Sequence, residues 1–96
     1  MTTARARKAD TTSVAVAATA VSRQRTVMVE VGPDGYVIGV RLLSDAARCW
    51  DSETLEERVK SVASVAHDRY LAGLGATDGR YPTIESVAAA ELELDF

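Results

Sequence analysis

The chain has 96 residues, 47% apolar and 26% charged, the balance of one globular domain and too little length for a two-domain enzyme. Its one cysteine, Cys49, excludes an internal disulfide and a cysteine-based zinc site. No run approaches the ~18 to 20 apolar residues that a membrane span needs. The formal net charge of −3 is unevenly placed: residues 1–25 carry five bases and one acid, net +4, and residues 26–96 six bases and thirteen acids, net −7. Aromatics are only 5%, so the core must be built from valine, alanine and leucine.

Residues 1–12, with Arg5, Arg7 and Lys8, read as a flexible basic arm. Such an arm is either a solvated tail or, together with Arg23 and Arg25, a set of nucleic-acid contacts. It imitates a secretory signal, but Asp10, Thr11, Thr12 and Ser13 break the apolar stretch that a signal requires. Small and β-branched residues over 13–21 predict a first strand, and Ser22-Arg23-Gln24-Arg25 a polar turn. Residues 26–31 give the clearest signal, with Val27, Val29 and Val31 on one face. Gly32-Pro33-Asp34-Gly35 predicts a tight hairpin. The return strand spans 36–43, with Ile38, Val40 and Leu42 sharing a face.

Residues 44–50 predict a short helical turn, with Trp50 plugging the seam between sheet and helix. Asp51-Ser52 supplies an N-cap and Glu53, Glu56 and Glu57 an acidic first turn. The helix that follows runs to about Leu74, ends at Gly75, and carries the stripe Leu55, Val59, Val62, Ala66, Tyr70 and Leu74. Residues 76–80 form a polar linker. Thr83 then caps a short helix through Ala90, and the alternating acidic and apolar tail 91–96 is expected to fray.

The fold class is therefore α+β: a three-stranded antiparallel meander, a long amphipathic helix and a short acidic C-terminal helix. Its organisation is an arm (1–12), a β-β-β-α domain (13–75) and a linker with its helix (76–96). One helix leaves a sheet face and the sheet edges uncovered, which predicts a homodimer.

His67 is the only histidine and lies beside Asp68; neighbours on a helix point about 100° apart and do not converge on a site. Cys49 has no base near it in sequence, and the glycines bracket a hairpin or a helix end without forming a phosphate loop. The expectation is a non-enzyme without metal or cofactor. A lone cysteine and the absence of an apolar span suit the cytoplasm.

Several segments taken in order resemble a known group. Arg25-Thr26-Val27-Met28-Val29-Glu30-Val31, then Asp34-Gly35, residues 37–42, and a helix opening Ser52-Glu53-Thr54-Leu55 are similar to the YbaB/EbfC-like fold. Within that group the chain resembles mycobacterial ESX (type VII) secretion-associated Esp proteins of the EspD and EspH type. A late Tyr81-Pro82-Thr83-Ile84-Glu85 opening an alanine-rich acidic helix adds to the likeness. Where those Esp proteins carry a long acidic extension, and nucleoid-associated YbaB/EbfC proteins a long N-terminal helix, this sequence has the short basic arm.

The resemblance implies a dimeric, non-enzymatic accessory of type VII secretion that binds and stabilises substrate or partner proteins in a chaperone-like role. Tyr81 and Glu85 match a Tyr-x-x-x-Asp/Glu secretion motif, an aromatic and a carboxylate one helical turn apart, which would mark the protein itself for export. The alternative implied by the same fold group is a nucleoid-associated DNA-binding protein.

Overall fold

A computed structural model describes residues 15–74 and 81–96. The arm with Arg5, Arg7 and Lys8, the first two residues of the predicted strand (13 and 14), the predicted helix end Gly75 and the whole linker 76–80 lie outside the described residues. Three strands, β1 (Ala18–Val21), β2 (Val27–Val31) and β3 (Val37–Leu42), form one antiparallel sheet in the order β1-β2-β3. Helices α1 (Asp45–Arg48), α2 (Ser52–Gly73) and α3 (Ile84–Leu92) follow. β1 is shorter than the composition suggested. Ala18 pairs with Val31, the last residue of β2, so residues 15–17 have no strand left to pair with beyond one bond from Ala17 N–H to the Val31 carbonyl.

The period-two pattern of β2 sets the core. Val27, Val29 and Val31 are fully buried, flanked by Ala18 and Ala20 and roofed by Val62, Val65 and Ala66 of α2. Burying each such valine contributes roughly 1.5 to 2 kcal/mol. Val65 lies off the predicted stripe, yet it is buried, within the same cluster as Val87 of α3 and Leu94 of the tail. At the other end the stripe overruns its sheet: Leu74 is 53% exposed. Val59, Tyr70 and Trp50 are half-buried against the margins of the core, and Leu55 is half-buried outside it.

Helix boundaries follow from local chemistry. The Asp51 side chain accepts the Thr54 N–H at 2.8 Å and starts α2. That bond, and the Thr54 hydroxyl, hold the Asp51 carboxyl below its ordinary range. Thr83 and Ser86 form a reciprocal capping box that starts α3.

The two hairpin turns are held differently. At the β2–β3 turn Gly35 sits at φ 87°, and a Cβ there would come within 3.0 Å of the Tyr70 ring, so glycine is required twice over. At the β1–β2 turn the left-handed position is filled by Arg25, at φ 59°, where an L side chain is strained by about 1 kcal/mol or more. Arg25→Gly is therefore expected to raise stability by up to about 1 kcal/mol, read from the midpoint of urea unfolding.

The return strand departs from expectation. A register shift between Glu30 and Val31 leaves Ile38 as an extra residue, so Val37, and not Ile38, is aligned with Val31. Ile38 and Val40 are 42% and 46% exposed, and of the predicted trio only Leu42 packs against the core. A helix about 10 Å wide spans about two strands at 4.8 Å spacing, and α2 lies over β1 and β2.

The tail is also different from the frayed end expected. Leu94 is buried, Phe96 packs against the core, and the Leu94 and Phe96 carbonyls accept backbone N–H groups of Arg23 and Gln24 at 2.8 and 3.0 Å. Backbone pairing and the burial of two apolar side chains together outweigh the entropy of a short end.

Candidate functional site

The two edges of the sheet have opposite fates. At β1, the Thr19 carbonyl accepts from Arg69 of α2 at 2.7 Å and the Val21 N–H donates to Glu91 of α3 at 2.9 Å. Arg69 and Glu91 join each other through two bonds of 3.0 Å. The pair thus satisfies two of the strand's outward backbone groups with side chains. Arg69 hydrogen bonds hold the Glu91 carboxyl below its ordinary value, against the effect of burial, and the Val21 N–H adds to them. Glu91 in turn holds the Arg69 guanidinium charged.

At β3, among the described residues, no strand pairs with the outer edge. Val37 and Val40 stand in register beside the buried Val31 and Val29, on the helix-facing side. They are nonetheless 48% and 46% exposed, and Tyr36 and Leu43 extend the same apolar edge. On the opposite side Glu30 lies across Gly39: a Cβ there would meet its Oε1 at 2.8 Å. Arg41 approaches that same oxygen only at 3.9 Å and is largely exposed.

The neighbouring helix holds the hairpin in place. The Tyr70 hydroxyl donates to the Pro33 carbonyl at 2.8 Å, and His67 Nδ1 lies 3.1 Å from the Gly35 carbonyl, its ring stacked on Tyr70. The exposed histidine thus has a hairpin-anchoring role that the sequence did not reveal. At the far end of α2, the Arg58 guanidinium lies 4.4 Å from the Trp50 ring centre and 5.0 Å from that of Phe96. The two rings meet edge to face at 6.0 Å. Trp50 therefore closes the seam against the tail as well as against the sheet.

The other candidate residues are scattered. Arg23 and Arg25 are exposed on the β1–β2 turn and border an open recess that also includes Glu91 and Leu92. Tyr81 precedes the N-cap Thr83 while Glu85 lies in the first turn of α3, so the two are not presented on one helical face. That corrects the geometry expected of the motif: Pro82 and the cap force the chain to enter the helix only after Tyr81. Cys49 is exposed. Among the described residues no three His, Cys, Asp or Glu side chains converge as a metal site, and no helix is long and apolar enough to cross a membrane.

Comparison with protein-family models, with curated proteins and with solved structures gives no match. The surface with most chemical character is therefore the open β3 edge. Sequence periodicity missed it because the bulge at Ile38 and the reach of α2 leave no local signature.

Proposed function

We propose that this protein is a non-enzymatic accessory that binds polypeptides in a chaperone-like way, serving type VII (ESX) secretion from the cytoplasm, as its sequence resemblance implies. The observation that supports this reading is the uncovered side of β3, where Val37 and Val40 lie open beside a fully buried valine row. Contiguous apolar side chains on an exposed strand suit contact with another chain. A partner chain held there gains by taking the open apolar side chains out of water.

The test is affinity capture from a mycobacterial lysate with the wild-type protein and Val40→Lys. Val40 is half exposed, so lysine is tolerated by the fold, which circular dichroism checks. ESX-related proteins retained by the wild type and lost by the variant support the reading. Their absence from both overturns it.

A second reading, DNA binding, is favoured by Arg23 and Arg25 projecting from one turn, on a chain whose arm adds Arg5, Arg7 and Lys8. The acidic body opposes it. Gel-shift titration decides: binding through phosphates weakens steeply between about 50 and 200 mM salt and is lost when residues 1–10 are removed.

A further inference from the structure

We infer that two copies of this chain pair antiparallel along their β3 strands, about a two-fold axis at Val40, and that the pairing completes a groove for one α-helix of a partner protein. The groove rests on the polypeptide-binding reading above; the pairing does not.

Edge chemistry selects the occupant. The Leu43 N–H donates inward to the Thr26 carbonyl at 2.8 Å. Antiparallel alternation then turns the N–H and C=O of Val40 and Leu42 outward, where a second strand can bond them. Charge selects the register. With the axis at Val40, each Arg41 lies directly opposite the partner's Gly39, across which the partner's Glu30 carboxylate extends, a position shown within one chain by its 2.8 Å approach to the Gly39 Cβ site. Each exposed Arg41, poorly engaged at 3.9 Å in its own chain, thereby gains a carboxylate. An axis at Arg41 sets two guanidinium groups side by side, and an axis at Gly39 two carboxylates. Like charges directly opposed disfavour both. The surface is complementary to itself in one register.

The groove follows from widths. A two-fold axis normal to the sheet places both α2 helices on one face of a six-stranded sheet, over its outer strands. Between them lie the two β3 strands, about 10 Å of floor, lined by Val37, Val40 and Leu42 from each copy. That width matches one α-helix of about 10 to 12 Å. A single copy offers half of it, so the site is incomplete without the second.

Analytical ultracentrifugation of the full chain tests the pairing. The wild type is expected to sediment at twice its 10.2 kDa, and Glu30→Arg and Arg41→Glu each as folded monomers. An equimolar mixture of the two variants is expected to recover the dimer, because each chain then offers the other an opposite charge at both ends of the strand pair. Circular dichroism of each variant separates loss of pairing from loss of fold. A monomeric wild type, or a mixture that stays monomeric, overturns the pairing and leaves the polypeptide-binding reading to the capture experiment. A dimer that captures no ESX-related protein overturns the groove and leaves the pairing standing.

Discussion

Glu91→Ala is expected to destabilise the fold by about 2 to 3 kcal/mol. Its carboxylate accepts from Arg69 twice and from the Val21 backbone N–H. Removing it strands a partly buried guanidinium and opens the β1 edge. The exposed pairs Lys60–Glu56 and Arg48–Asp45 contribute at most about 0.5 kcal/mol each, because solvent screens them and their side chains lose entropy to meet. Thermal unfolding should fall by about 10 °C or more, given about 4 to 8 °C per kcal/mol for a domain of this size.

The same pair sets a pH dependence. The folded-state pKa of Glu91 lies below its ordinary 4.5, so its contribution is complete above that value and is lost as pH falls through the lower folded value. Arg69 stays charged throughout. Urea titrations between about pH 5 and pH 3 should show a steeper loss for the wild type than for Glu91→Ala. Equal slopes would mean that the carboxylate is not engaged as described.

Ser22→Ala is the second large effect, about 3 kcal/mol. The buried Ser22 hydroxyl accepts from the N–H groups of Thr26 and Val27 at 3.0 and 3.1 Å and meets the Thr26 hydroxyl at 2.8 Å. Alanine is smaller, so the loss is not one of packing alone: two buried backbone donors lose their acceptor. Hydrogen exchange reads this locally. The Thr26 and Val27 amides should lose protection well before those of α2, and unchanged protection would remove the turn's dependence on this hydroxyl.

Much of the architecture was legible in the residues. Alternating valines at 27, 29 and 31 identify a strand with one buried face, because side chains on a strand alternate with period two. Gly32-Pro33-Asp34-Gly35 marks the hairpin, and Asp51 and Thr83 mark helix starts through their side-chain oxygens. These are local rules, satisfied within a few residues. The candidate site is legible only in part: the alternating pattern marks Val40 as apolar and places it in the core, and nothing in that pattern distinguishes Val37.

Tertiary structure decided which apolar residues are covered. Whether Val40 is core or surface depends on how far α2 reaches across the sheet, and Ile38 lost its place in the row to a bulge that no pattern announces. Arg69 and Glu91 are 22 positions apart and meet only because the chain returns after residue 80 alongside β1. That return, with Leu94 and Phe96 seated on the core, seals one edge of the sheet and leaves the other bare. Periodicity specifies the face of each element, whereas closure of an edge depends on where distant segments are brought together, which is a property of the packed chain.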